Sequence, residues 1–203
     1  KGYCSQSNLI MRVISGKFKN FKIILPTDKL TRPLKDLVKE SIFNIIEHSK
    51  IAYCPIEKDT RILDLYSGVG SFGLECLSRG AKQVYFFEKY IPTLNILKKN
   101  IQALECEGKC QIFEKDIEKI EEVLKKKNIK FNLVFLDPPF INKNINIIID
   151  KIYDMKILND NALIIIHRNK NTEEKYSKRL EELKVEKYGN SKIIFAKISN
   201  FFI

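Results

Sequence analysis

The chain has 203 residues, 44% hydrophobic and 30% charged, which suits a water-facing globule with one substantial core and an appendage. Lys and Arg outnumber Asp and Glu by 36 to 25, and the resulting formal charge of +11 favours a polyanionic partner, most often nucleic acid; a biased, lysine-rich composition that merely solvates helix faces is the plain alternative. No apolar run reaches the roughly 18 residues that a membrane-spanning helix needs, and Cys4, Cys54, Cys76, Cys106 and Cys110, with His48 and His167, lack the paired spacing of a disulfide framework or zinc site.

Residues 1–10, KGYCSQSNLI, carry no secretory pattern and read as an extension, either a remnant of a processed organellar precursor or an artificial addition. Residues 11–26, MRVISGKFKNFKIILP, are two β-prone stretches around a turn, a hairpin basic on both arms. Leu34, Leu37, Val38, Ser41, Ile42, Ile45 and Ile46 then recur at helical spacing, and a linker over residues 51–60 leads to the main body at 61–203. From residue 61 strand and helix patterns alternate: RILDLY, KQVYFFE, KCQIFEK, FNLVFLD, NALIIIH, VEKYG and SKIIFAKI as strands, with SFGLECLSRG, IPTLNILKKNIQAL, IEKIEEVLKKK, NINIIIDKIYDMKIL and TEEKYSKRLEEL as helices. Such alternation predicts an α/β fold with a mainly parallel seven-stranded sheet, and the short GN turn makes the last two strands a hairpin with one strand reversed.

Within this pattern RILDLYSGVGSFG, residues 61–73, is strand, tight glycine turn and helix start, a cradle for a nucleotide-like ligand. Dinucleotides commonly own such loops, but Asp64 stands where a pyrophosphate would rest, and a carboxylate there suits a cationic amine. S-adenosylmethionine (AdoMet), with its ammonium and sulfonium, is the leading candidate. Ligands of doubly wound sheets bind at the carboxyl ends of the strands, and four of those ends carry acids: Asp64, Glu88, Asp116 and Asp137. Glu88 is spaced to accept ribose hydroxyls, and Asp116 or the N–H of Ile117 to meet the adenine edge. Any single acid at a strand end is more commonly a helix cap or a solvated loop residue.

The most specific stretch is LVFLDPPF, residues 133–140. Two prolines after a buried strand stop the ladder and hold the chain extended, which would turn the carbonyls of Asp137 and Pro138 into the cleft as acceptors for an exocyclic NH2. Phe140 can stack on the base that carries that amine, as base-modifying enzymes require. A plain strand stop with Phe140 as a core plug is the structural alternative.

The set MRVISGKFK, TRP followed by ESIFNII, LDLYSGVGSFGLECLSRGA, FFEK, DPPF and a late EKYG hairpin resembles the bacterial 16S ribosomal RNA guanine-N2 methyltransferase family (RsmD-like), from Met11 to about Ile198. The resemblance implies a class I AdoMet-dependent methyltransferase fold, Rossmann-like, with a small N-terminal hairpin and helix over residues 11–50 covering RNA or cofactor. It implies AdoMet binding by Asp64, Ser67, Gly68, Gly70, Glu88 and Asp116, with S-adenosylhomocysteine as product, and target-amine binding by Asp137, Pro138, Pro139 and Phe140. Arg32 and Pro33 match the family element over the pocket. After its fifth strand the family usually has an acid, where this chain has His167 and Arg168.

The expected reaction is a direct in-line transfer from AdoMet to a guanine N2 in small-subunit ribosomal RNA, naked or in an assembly intermediate, with the proton passing to water or Asp137. Orientation of the bound partners is the main catalytic resource, worth up to roughly 7 to 11 kcal/mol in favourable systems. Arg12, Lys17, Lys19, Lys22 and Arg32 are the expected phosphate contacts beside the pocket. The protein is expected to act as a monomer away from membranes, in the cytoplasm of a bacterium or, if residues 1–10 are a targeting remnant, in a plastid or mitochondrion. An adenine-N6 or cytosine-N4 DNA methyltransferase would use the same DPPF chemistry but usually carries a separate recognition domain. A noncatalytic RNA-binding assembly factor and an NAD-dependent oxidoreductase are the remaining alternatives.

Overall fold

The computed structural model describes residues 11–27, 34–50, 52–125, 127–142 and 144–199. The chain opens with two short strands, β1 (Met11–Arg12) and β2 (Lys22–Ile23), paired antiparallel with Met11 opposite Ile23. Helix α1 (Asp36–His48) follows and buries Val38, Ile42, Phe43 and Ile46. Then come β3 (Arg61–Leu65), α2 (Ser71–Ser78), β4 (Gln83–Phe87), α3 (Ile91–Ala103), β5 (Cys110–Phe113), α4 (Ile120–Leu124), β6 (Phe131–Leu136), α5 (Ile145–Asp154), β7 (Leu158–Asn169), β8 (Leu180–Tyr188) and β9 (Ser191–Ile198).

The main sheet has the order β5-β4-β3-β6-β7-β9-β8, parallel from β5 to β7, with β9 antiparallel to both neighbours. The expected class I methyltransferase layout is therefore present, with its reversed strand inserted between β7 and β8. Alternation along the strands divides the core into two layers. Ile62, Val84, Phe86, Leu133 and Phe135 face α1, α2 and α3, while Leu63, Leu65, Tyr85, Phe87, Val134 and Leu136 face α4 and α5. The chain winds outward from β3 to β5 and then returns to β6, so the strand order reverses at β3. That switch point opens a crevice at the carboxyl ends of β3 and β6.

Two expected helices are corrected. The TEEKYSKRLEEL segment forms a loop that enters β8 at Leu180. Its polar groups are taken by neighbours: Glu174 by Arg168, the Ser177 amide by Asn146 Oδ1 at 2.8 Å, and the Lys175 carbonyl by Asn146 Nδ2 at 2.9 Å. Tyr176 and Leu180 pack on the α4–α5 layer, so their helix-like spacing reflects separate anchor points. The IEKIEEVLKKK helix is also shorter than expected: a single 3-10 turn, Ile117–Lys119, precedes the five residues of α4. Among the described residues no helix is long and apolar enough to cross a membrane.

Candidate active site

At the switch point lies a cavity of about 480 Å³, lined among others by Asp64, Ser67, Gly68, Glu88, Asp116 and Ile117 on one side and by Asp137, Pro138, Pro139 and Phe140 on the other. Its size falls in the range of roughly 300–1,000 Å³ typical of small-molecule sites. The two residue sets read separately from the sequence thus share one space.

The glycine loop between β3 and α2 is built by local backbone demands. Tyr66, Gly68 and Gly70 have φ of 59°, 55° and 85°, the left-handed region that glycine enters without strain. The Gly68 N–H donates to Glu88 Oε2 at 2.9 Å, and the Ser67 amide to the Phe87 carbonyl at 3.0 Å, which lashes the loop to the end of β4. A side chain at Gly70 would strike Leu97 on α3, so this glycine serves the turn and helix packing, and unlike Ser67 and Gly68 it is not among the residues that line the cavity. At Gly73 a side chain would strike Phe86 and Val84, which explains how closely α2 lies on the sheet.

Of the four carboxylates that line the cavity, the three on the glycine-loop side are in different states. Asp64 is buried, accepts the Gly73 N–H at 3.0 Å, and is pushed well above the usual carboxylate range by burial, with Asp137 and Glu88 adding repulsion. Glu88 accepts from the Gly68 amide and, at 2.7 Å, from the Tyr90 amide, which orients both its oxygens. Asp116 is more engaged than the sequence implied. Lys89 Nζ sits 2.6 Å from Oδ2, Oδ1 caps the 3-10 turn through the Glu118 N–H at 3.1 Å, and the hydrogen bond from Lys89 holds the carboxyl below its usual range. Among the described residues no group of three His, Cys, Asp or Glu side chains is arranged to hold a metal.

The wall formed by residues 137–140 is mounted on β7. Leu136 pairs with Ile166, so the next residues of the two parallel strands, Asp137 and His167, stand side by side, with His167 Nδ1 2.9 Å from Asp137 Oδ1. Arg168 is wholly buried and donates to the carbonyls of Pro139 at 3.3 Å, Phe140 at 3.4 Å and Asn142 at 2.8 Å, its charge met by Glu174. These carbonyls are not the two assigned from sequence, those of Asp137 and Pro138. The far end of the loop is tied by Asn142 Nδ2, which donates to the Tyr66 hydroxyl at 3.2 Å; burial pushes that phenol up to about 12. His167 and Arg168, a departure from the expected pattern in the sequence, are thus supports of the wall, and Tyr66, Lys89 and Asn142 complete a lining that the motifs did not name.

The expected RNA contacts split into two groups. Arg12, Lys17, Lys19 and Lys22 are all exposed. The strand ends near Arg12 adjoin the cavity side, because Lys39 Nζ binds the Arg12 carbonyl at 2.6 Å and lies 3.3 Å from the cavity-lining Ser71 hydroxyl. Lys17 and Lys19 do not lie beside the pocket, which corrects the sequence expectation. The hairpin tip docks on the far end of α2, with the Lys17 amide on the Ser78 carbonyl at 2.7 Å, and lines a shallow depression with Ala103, Leu104 and Glu105 beyond α3. Following α3 from the cavity-lining Thr93 to Ala103 gives a separation of about 15 Å at 1.5 Å per residue. Arg32 and Pro33 lie outside the described residues.

A family model described as "Conserved hypothetical protein 95" matches residues 11–197. Ribosomal RNA small subunit methyltransferase D of Haemophilus influenzae is 32% identical over 162 residues, 79% of this chain and 79% of that protein. The protein of the same name from Escherichia coli is 30% identical over 156 residues, 77% of this chain and 73% of that protein. The solved structure of a candidate methyltransferase, yhhF, from Escherichia coli superposes with a TM-score of 0.76 at 26% identity, covering 93% of this chain and 97% of that one. With its glycine loop, its 137–140 wall and its strand order all inside the matched span, the chain belongs to the conserved hypothetical protein 95 family, alongside the proteins named ribosomal RNA small subunit methyltransferase D.

Proposed function

We propose that this protein transfers a methyl group from AdoMet to the exocyclic N2 amine of a guanine in small-subunit (16S-type) ribosomal RNA. The observation that carries the reading is the single cavity in which the glycine loop and its acids face residues 137–140. The donor set fits AdoMet: carboxylates dominate where a dinucleotide would need phosphate donors, and Gly68 and Ser67 bring backbone close to the ligand. Asp64 would meet the ammonium, Glu88 the ribose hydroxyls, and Ile117 with Asp116 the adenine, once Asp116 shares its Lys89 partner. Ribosomal RNA as the substrate rests on the names of the relatives and on the +11 charge.

When bound, AdoMet would supply an electrophilic methyl to the guanine N2, the N–C bond forming as the S–C bond breaks and S-adenosylhomocysteine leaves, and Asp137 or water would take the surplus proton. Asp137 and the Pro138 carbonyl accept from the amine and aim it, while Phe140 backs the base. Arg168, by holding the next carbonyls of the loop, keeps these acceptors from swinging.

The test is methyl-labelled AdoMet with deproteinised ribosomal RNA, assembled small subunits and duplex DNA, followed by digestion to nucleosides. Label in N2-methylguanosine from the RNA arms is expected. Label in N6-methyladenosine, in N4-methylcytosine or on the DNA would overturn the assignment.

A further inference from the structure

We infer that His167 is a positioning residue for methyl transfer, holding the Asp137 carboxylate at the cavity wall through an Asp137–His167–Ser191 chain; the inference rests on the reading of Asp137 as the group that meets the target amine. The sheet itself brings the pair together. Leu136 and Ile166 are register partners in adjacent parallel strands, and each is followed by one member of the pair. His167 is buried on a strand whose other side is covered by β9, and Ser191 at the start of β9 reaches its Nε2 at 2.8 Å.

The hydrogen positions follow from chemistry. A carboxylate accepts only, so Nδ1 carries the hydrogen donated to Asp137 Oδ1; in the neutral ring Nε2 is then an acceptor, and the Ser191 hydroxyl donates to it. The carboxylate thus fixes the tautomer, and the Ser191 hydroxyl satisfies the other ring nitrogen. The imidazole also meets the other end of the wall, with the Phe140 ring edge-on at 5.8 Å and 83°. One buried ring therefore touches both the carboxylate and the aromatic that the reaction is proposed to use.

Holding matters because a terminal carboxylate torsion is broad and roughly two-fold. Asp137 lines the cavity with 17% of its side-chain surface accessible, at a strand end where an untethered carboxylate would turn between solvent and cavity. Misplacing a reacting group by about 1 Å can cost on the order of 100-fold in rate. A histidine that merely filled space would be replaceable by leucine without kinetic effect, whereas a positioning histidine needs a donor at the Nδ1 position.

Four variants separate these roles: Asp137→Ala, His167→Leu, His167→Asn and His167→Gln. They are compared by single-turnover methyl transfer at saturating AdoMet and small-subunit RNA, with AdoMet Kd from calorimetry. His167→Leu should lower the rate by about 10- to 100-fold while AdoMet Kd and RNA KM stay within about threefold. His167→Asn, whose amide nitrogen falls near the Nδ1 position, should recover most of the rate; His167→Gln, which reaches toward Nε2, should recover less. A wild-type rate for His167→Leu beside an inactive Asp137→Ala would overturn the role of His167 and leave the reading of Asp137 standing. An active Asp137→Ala would overturn that reading itself. If His167→Leu fails to fold, Asn and Gln decide: a faster Asn variant supports positioning, and equal rates refute it.

Discussion

At Asp64 burial and charge oppose each other, and the balance has a measurable sign. Burial first, and then repulsion from Asp137 and Glu88, raise this carboxyl well above its usual range, against the single-bond help of the Gly73 amide. The unfolded chain loses the proton near pH 3.9 or so, whereas the folded chain keeps it to a higher pH. Between those two points the folded state binds more protons, so stability falls as pH rises through that window. Asp64→Asn should flatten that decline in urea titrations run across the window; an unchanged slope would mean that another group causes it. The same residue reports on the proposed cofactor. An ammonium placed beside Asp64 favours the ionised carboxylate, so inside that pH window AdoMet binding should release a proton and its apparent enthalpy should vary with the ionisation enthalpy of the buffer. A buffer-independent enthalpy would remove Asp64 from the ammonium site.

Among the elements, α2 is the junction, because one side chain on it joins the hairpin and α1. Glu75 is fully buried; it accepts the Ile14 and Ser15 amides of the hairpin at 2.7 and 3.0 Å, pairs with Arg79 at 2.9 Å, and lies 3.7 Å from the buried Lys39 ammonium of α1. Burial lowers the Lys39 pKa, and Glu75 with Asp36 holds it up. Removing one partner from such a group leaves buried charge unmatched, so Glu75→Gln should cost about 3–5 kcal/mol in denaturant unfolding and speed hydrogen exchange at the Ile14 and Ser15 amides. A loss under about 1 kcal/mol with unchanged exchange would show that the hairpin docks by its apolar contacts alone. The sequence hid this junction, since nothing in SFGLECLS tells which neighbours its glutamate meets. What it displayed well was local. The run into Asp64, the left-handed glycines and the proline stop after Asp137 are each determined by neighbouring residues, and all three stand where the pattern put them. The support of that wall by His167 and Arg168 depends on which strand lies beside β6, a non-local pairing that no motif encodes. The loop before β8 failed for a similar reason, its backbone groups being captured by side chains of α5.

For the molecule as a whole, the basic hairpin tip and the cavity are not in the same place. The cavity opens at the carboxyl ends of the strands, while Lys17 and Lys19 extend from the opposite end of α2 and α3. A dinucleotide or trinucleotide that delivers the target base to the cavity, at about 3.4 Å of stacked rise per residue, is too short to meet both ends, whereas the folded RNA of a partly assembled subunit can span them. With the tip so far from the cavity, the choice of the proposed target guanine should come from the shape of the larger particle, where a loop base is already unstacked. The double substitution Lys17→Glu and Lys19→Glu should therefore raise KM for the assembled subunit and lower the slope of its salt dependence by roughly 0.7–0.9 for each phosphate that the protein no longer neutralises. On a trinucleotide the same protein should behave as wild type, and AdoMet affinity should not change. Arg12→Glu, close to the cavity side, should weaken both substrates alike. Equal losses on the two RNAs from the lysine pair would mean that even a short RNA reaches the tip, and would return Lys17 and Lys19 to the edge of the active site.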